Sequence, residues 1–107
     1  MSEREIRAAE NESLFRSFNE RIRDATGGSS AELMMLVCEC GQPDCAESMK
    51  LDVRHYEAIR AHGDRFAILP EHNSPDVENI VERNPHYWVV EKFGVAGDVA
   101  EDLDPRS

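Results

Sequence analysis

Three cysteines, the only ones in the chain, lie close together at Cys38, Cys40 and Cys45. Thiolate sulfur is a preferred protein ligand of Zn²⁺, which structural sites hold tetrahedrally with four side chains. In an extended segment residues two apart share a face, so Cys38 and Cys40 can direct their sulfurs to one side. Gly41 permits a left-handed backbone and Pro43-Asp44 favours a tight turn, which can return Cys45 over the first two cysteines. The spacing therefore predicts a zinc knuckle with three sulfur ligands.

The fourth ligand must come from elsewhere, and the chain has four histidines, at 55, 62, 72 and 86. His62 lies near the end of a predicted helix and His86 opens a predicted strand, where solvated or packed rings are usual. His72 lies in an irregular loop between two strands, where its ring can turn inward without interrupting a β ladder. His55 lies in the first turn of the second helix and is close in sequence to Cys45. The residues alone rank His72 slightly above His55 and leave both open.

Three alternatives compete with zinc at the cysteine group. They are ordinary buried thiols, a transient disulfide between Cys40 and Cys45, and an iron-sulfur site that takes a fourth cysteine from a partner. Carboxylates from Asp44 or Glu47 are poor ligands for a sulfur-rich site. Zinc is favoured because the sulfur spacing, the turn residues and a reducing compartment all agree with it.

A catalytic zinc would need an open coordination position and an acid or base nearby. Glu39 and Glu47 are close in sequence, but we expect both to be solvated charges, as glutamates usually are. The chain has no phosphate-binding loop, no Gly-x-Ser-x-Gly and no His-Glu-x2-His. We therefore expect a structural metal and no enzymatic activity.

The charge balance restricts the partners. Asp and Glu number 22 against 12 Lys and Arg, which gives a formal net charge of -10. Such a surface repels phosphate backbones and anionic lipid, so we expect neither double-stranded nucleic acid nor a membrane as a partner. The charged start, MSEREIRAAE, is unlike a secretory signal, and no apolar run reaches the length of a membrane span. These features predict a cytoplasmic protein whose partner is another protein.

Periodic patterns predict an α+β fold. Residues 1–26 form an amphipathic helix, with Glu12 and Arg16 paired on its solvated face. A flexible glycine joint follows, and the helix either swings free to dock on a partner or, as we expect, covers the domain's own sheet. Its apolar residues recur at steps of three and four: Leu14, Phe15, Phe18, Ile22 and Ala25.

Residues 33–93 are predicted to form the α+β domain that contains the knuckle and that is a single unit with the first helix. ELMMLVCEC and AESMKLDV read as paired strands, Asp52 as the N-cap of a central helix, and RFAILP as another strand. VENIVER and HYWVVEKF read as a C-terminal hairpin. Residues 94–107 have little apolar content and are predicted to be a disordered acidic tail.

Three strings carry a resemblance to a known group: CECGQPDC, LDVRHYEAIRAHGDRFAILPEH and VERNPHYWVVEK. They resemble small zinc-binding proteins, largely actinobacterial, that share a Cys-x-Cys-x4-Cys knuckle and a later Pro-x-His segment. The resemblance covers residues 12 to 92 and implies that Cys38, Cys40, Cys45 and His72 are metal ligands. Glu71 departs from the pattern, because glycine is expected before the histidine. The resemblance implies no particular activity.

The sequence therefore predicts a small cytoplasmic protein in which structural zinc stabilises a protein-interaction or regulatory module. A zinc-thiolate redox switch is the alternative, with Cys45 exposed at the tip of the knuckle and open to oxidation. A zinc enzyme ranks third. The oligomeric state is not predicted by any of these patterns.

Overall fold

The computed structural model describes residues 3–27, 29–42 and 44–106, which form three helices and five strands. The α+β class predicted from the sequence is confirmed, whereas the turn predicted at Pro43 lies outside the described residues. Within the described ranges, no helix is long and apolar enough to cross a bilayer. In chain order the elements are α1 (Glu3–Ala25), β1 (Leu33–Val37), β2 (Ser48–Asp52), α2 (Val53–Arg60), β3 (Arg65–Ile68), β4 (Glu78–Arg83), β5 (Trp88–Lys92) and α3 (Gly94–Asp102).

The strands form two antiparallel sheets. β1 pairs with β2, and the second sheet has the order β3-β5-β4, in which β4 and β5 are the predicted C-terminal hairpin. Alternate residues of the first sheet are buried, so that Met34 and Leu36 of β1 lie opposite Leu51 and Met49 of β2. This period of two is what a sheet with one covered face requires.

Helix α2 covers the inner face of the first sheet. Asp52 caps it as predicted, because its carboxylate accepts a hydrogen bond of 2.7 Å from the backbone N–H of His55. Val53, Tyr56 and Ile59 recur at helical spacing and enter the main hydrophobic core together with the buried residues of β1 and β2. A second apolar cluster contains the three cysteines, Phe66 and Ile68 of β3, Val90 of β5 and Ala100 of α3.

The predicted orientation of α1 is only partly correct, because Ile22 packs against the core of the first sheet but other residues of the predicted apolar face do not. Leu14 and Phe18 are 66% and 52% exposed, so they do not cover a sheet. Glu12 and Arg16, predicted to form a solvated pair, are instead buried. The inward face of the helix is mostly polar, and its buried members are Ala9, Glu12, Ser13, Arg16 and Asn19.

Specific partners explain why a polar face can be buried. Arg16 donates to the backbone carbonyls of Gly63 at 2.6 Å and Ala100 at 2.7 Å, and its guanidinium lies 4.5 Å from the centre of the Phe66 ring. Charged groups enter a protein interior only when such hydrogen bonds and ion pairs replace water. Helix α1 is thus held largely by polar contacts to distant parts of the chain. Ile22 also packs against the main core, whereas Leu14 and Phe18 stay exposed.

The prediction of a disordered tail is also wrong, because residues Gly94–Asp102 form helix α3. The helix packs through small residues: Ala96 and Ala100 are buried, and a Cβ at Gly97 would lie 3.0 Å from the carbonyl oxygen of Lys92. Beyond the helix, Asp104 forms an ion pair with the buried Arg60. The segment has few large apolar residues, and this composition predicts disorder. The close packing of small side chains and an ion pair hold the segment in place instead.

Candidate metal centre

The three cysteines lie in the connection between β1 and β2. Cys38 directly follows β1, and its backbone N–H donates to the carbonyl of Glu47 at 2.8 Å, which closes the connection where β2 begins. Cys45 N–H donates to the carbonyl of Gln42 at 3.0 Å, which holds Cys45 close to the start of the connection. The antiparallel pairing of the two strands therefore assembles a knuckle from one continuous segment.

Gly41 is required by the knuckle for two reasons. Its φ is +74°, a left-handed conformation that glycine adopts without strain. A Cβ at this position would also lie 2.4 Å from Cγ of Glu12 and 3.0 Å from the carbonyl oxygen of Ala8. Helix α1 thus packs directly on the backbone of the knuckle, and only glycine fits between them.

His72 comes from the turn after β3. The knuckle is attached to β3 by a hydrogen bond of 2.9 Å from Glu39 N–H to the carbonyl of Ala67. Two residues after Ala67, the backbone N–H of Leu69 donates to Cys38 Sγ at 3.2 Å. His72 N–H donates back to the carbonyl of Leu69 at 3.1 Å, and this turn directs the ring toward the sulfurs.

The backbone before His72 has the shape that glycine would give it. Glu71 has a φ of 71°, which is uncommon for a residue with a side chain and costs on the order of 1 kcal/mol. Glutamate therefore stands where glycine is expected, but the backbone at this position keeps the left-handed conformation that glycine favours. The tight turn that places His72 explains the strain.

The four side chains form one group. Sγ of Cys38, Cys40 and Cys45 and a ring nitrogen of His72 all lie within 4.8 Å of one another, and the three cysteines are buried. His72 Nδ1 is 3.5 Å from Cys45 Sγ and 3.8 Å from Cys38 Sγ. Tetrahedral Zn²⁺ with its usual bond lengths places two sulfurs about 3.8 Å apart and sulfur and nitrogen about 3.5 Å apart. The donor set and its spacing fit a divalent cation such as zinc.

The three thiols differ in how readily they lose a proton. A hydrogen bond from the Cys38 thiol lowers the pKa of Cys40 to about 5. Donating that bond, together with burial, raises the pKa of Cys38 well above its ordinary value, and burial raises the pKa of Cys45. Three clustered thiols therefore resist carrying more than one negative charge by themselves, and a bound cation is the usual means by which such sites become thiolates.

Glu39 lies between two of the cysteines, and the prediction that it is solvated is wrong, because it is fully buried. One carboxylate oxygen accepts from Ala67 N–H at 2.9 Å, and the other accepts from the Asn19 amide at 2.7 Å. Asn19 also donates to the carbonyl of Val37 at 2.8 Å and accepts from its N–H at 2.9 Å. Burial raises the pKa of Glu39 to about 6 although the Asn19 hydrogen bond opposes the shift. This network fastens the knuckle to α1 and β3.

The remaining sequence candidates lie apart from the sulfurs. The His55 ring is exposed and contacts the Asp52 carboxylate through Nδ1 at 2.7 Å, so it is not part of the group. Glu47 is exposed, as predicted, and one of its oxygens is 3.8 Å from Nε2 of His72. It therefore lies near the outer nitrogen of the ring, at a separation too long for a hydrogen bond. The sequence gives no signal for Asn19, because a polar residue within a helix is unremarkable by itself.

Comparison of the chain with protein-family models, with curated proteins and with solved structures finds no match. The resemblance inferred from the sequence accordingly stays a prediction. The structure supports one part of that resemblance, the grouping of Cys38, Cys40, Cys45 and His72.

Proposed function

We propose that the chain binds one Zn²⁺ through Cys38, Cys40, Cys45 and His72, and that the metal stabilises a small cytoplasmic interaction or regulatory module. The observation that carries this proposal is the convergence of three buried sulfurs and one imidazole nitrogen within 4.8 Å. His72 is separated from Cys45 by 27 positions, so a shared ion would join two distant segments. Folding costs conformational entropy, and a domain of this size has only a modest core to offset that cost. The free energy of binding a shared ion would offset a further part of it.

A structural role is favoured over catalysis. Four protein ligands fill a tetrahedral zinc and leave no position for water or substrate. Three thiolates also place much negative charge on the metal, which weakens its ability to acidify bound water. Glu39, which lies between Cys38 and Cys40 in sequence, is engaged in hydrogen bonds with Asn19 and Ala67 and is not directed at an open position. We accordingly propose no enzymatic activity.

An interaction role is supported by the surface of the molecule. The net charge of -10 disfavours nucleic acid and anionic lipid, whereas several large apolar side chains are exposed on α1 and β1. Exposed apolar groups on an acidic domain are consistent with a protein partner. Regulation would follow if that partner binds only the metal-loaded fold.

The redox switch is the weaker candidate. It needs Cys45 exposed at the tip of the knuckle, and Cys45 is buried. Oxidation of a metal-bound thiolate requires access for the oxidant as well as a thiolate. Peroxide titration with a zinc-release readout separates the candidates, because a structural site should retain its metal at doses that empty an exposed thiolate site.

The metal itself is tested on protein purified without added metal. Native mass spectrometry and elemental analysis should find about one zinc per chain, and removal by a strong chelator should lower the unfolding temperature. Less than about half an equivalent, or iron in place of zinc, would contradict the proposal. Restoring zinc to the stripped protein should restore the original unfolding temperature.

A further inference from the structure

The outward side of α1 carries an apolar stripe between two opposite charges. Leu14 and Phe18 are its large side chains, and the exposed Glu10 and Arg21 lie one turn beyond them at either end. We call these four residues the outer stripe. Single exposed apolar residues are ordinary, but adjacent ones on a helix mark a contact surface.

The apolar surface continues beyond the helix. A groove of about 350 Å³ separates the stripe from the end of β1. Val37 lies in that groove, and Met35 and Leu33 share its side of the strand and are exposed. The residues that line the groove are Leu14, Phe15, Ser17, Phe18, Arg21 and Val37.

The outer stripe is complementary to itself. Its members are four, four and three residues apart, which is the spacing of side chains on the face by which one helix packs against another. If two copies of α1 run antiparallel about a two-fold axis level with Arg16, Leu14 of each copy lies opposite Phe18 of the other. The same register brings Glu10 of each copy within one position of Arg21 of the other, so both ends of the contact receive an ion pair.

We infer that the chain forms a two-fold homodimer through the outer stripe, an inference that specifies the partner in the interaction role proposed above and rests on it. Phe18 of each copy lies over Leu14 of the other, at the mouth of the groove beside β1. A basic partner helix would satisfy Glu10 but would be repelled by Arg21, whereas a second copy satisfies both. At 0.15 M salt the Debye length of about 8 Å limits the repulsion between two chains of net charge -10 to nearby groups.

The charge arrangement supplies a sharp test by sedimentation equilibrium on the zinc-loaded full chain. The wild type should approach twice 12.1 kDa at high micromolar concentration. Glu10→Arg and Arg21→Glu should each weaken the dimer about tenfold, because each reverses two contacts. Mixing the two variants in equal amounts should restore it, since the mixed dimer again pairs opposite charges at both ends. The double variant should dimerise like the wild type.

Leu14→Glu should abolish the dimer, and Val81→Glu, at an exposed apolar position on β4, should leave it intact. A wild type that stays at 12.1 kDa at every concentration overturns the inference, as does a dimer that tolerates charge reversal. A monomer that binds a basic amphipathic peptide also overturns it and assigns the stripe to that partner. Zinc is measured in each sample: a monomer with full zinc refutes only the dimer, and a dimer without zinc refutes only the metal site.

Discussion

The four candidate ligands differ in how firmly the protein holds them. Cys38 is held through both backbone and side chain, because its N–H donates to Glu47 and its sulfur accepts a hydrogen bond from Leu69. His72 is half-buried and comes from a turn with a strained residue at Glu71. The knuckle is thus a prearranged set of three sulfurs, and the imidazole completes the site from a separate segment. Loss of the imidazole should weaken metal binding without unfolding the knuckle.

His72→Ala should lower zinc affinity by about 100-fold or more, because one of four ligands is lost from a site whose total binding energy is on the order of 10 kcal/mol. Competition with a chromophoric chelator measures the change. His55→Ala is the matched control and should leave affinity unchanged, since that ring contacts Asp52. Equal losses from the two variants, or a loss from His55→Ala alone, would contradict the ligand assignment.

The three candidate sulfur ligands can be identified from the sequence because their positions depend on local geometry. Alternation along an extended segment and a left-handed backbone at Gly41 need no knowledge of the rest of the fold. The choice between His72 and His55 is different, since it depends on β3 lying beside the knuckle. That contact is made by Glu39 and Ala67, whose pairing has no local pattern.

At the level of elements, α1 is attached to the candidate metal centre by side-chain hydrogen bonds. Asn19 bonds both backbone groups of Val37 and the carboxylate of Glu39, which in turn bonds Ala67 on β3. One amide therefore joins a helix to two strands. Buried hydrogen-bond networks of this kind destabilise strongly when one member is removed, because the others lose their partners without regaining water.

Asn19→Ala should lower the free energy of unfolding by about 2 to 4 kcal/mol, because it leaves a buried carboxylate and two backbone groups underpaired. Denaturant titration of the zinc-loaded protein measures the loss. Asn11→Ala removes an exposed amide from the same helix and should change stability by less than about 0.5 kcal/mol. A similar small effect for both variants would show that the network does not hold the helix.

Helix α3 is attached in a comparable way, through the chain that follows it. Asp104→Ala should lower the free energy of unfolding by about 1 to 3 kcal/mol, since it removes one ion pair from the buried Arg60, which keeps Glu20 as a partner. Asp102→Ala, at an exposed position of the helix, is the control. Thermal unfolding distinguishes this docked arrangement from a mobile tail, for which both substitutions would be neutral.

Helices α1 and α3 show where periodicity stops being informative. A helix with apolar residues on one side and polar residues on the other has the same period whichever side faces inward. In α1 the choice is made by Glu12, Arg16 and Asn19, whose partners lie on distant segments. In α3 the packing depends on Ala96 and Ala100, which hydrophobicity patterns weigh little.

Across the whole molecule, ionic contacts contribute to the interior. Lys92 of β5 forms ion pairs with Glu12 of α1, at 2.7 Å, and with Glu78 of β4, and all three are buried. Two carboxylates therefore surround one ammonium group, and one oxygen of Glu12 has no hydrogen-bond partner among the described residues. An excess of buried negative charge favours protonation of one carboxyl group.

The stability of the fold should consequently depend on pH through Glu12. Burial raises the pKa of Glu12 from 4.5 to about 8, despite the opposing charge of Lys92. The folded protein then holds a proton that the unfolded chain releases, so stability from this group is complete below pH 4.5 and is lost as pH rises toward 8.

Glu12→Gln keeps the neutral form at every pH and isolates this effect. With zinc saturating, the free energy of unfolding of the wild type minus that of Glu12→Gln should fall steadily between about pH 6 and 8, because unfolding the wild type releases a proton that the variant does not carry. Urea titrations across that range measure the difference. Glu101→Gln, at an exposed position of α3, removes one acidic charge as a control. A constant or rising difference would show that Glu12 is already ionised in the folded protein and that Lys92 balances both carboxylates.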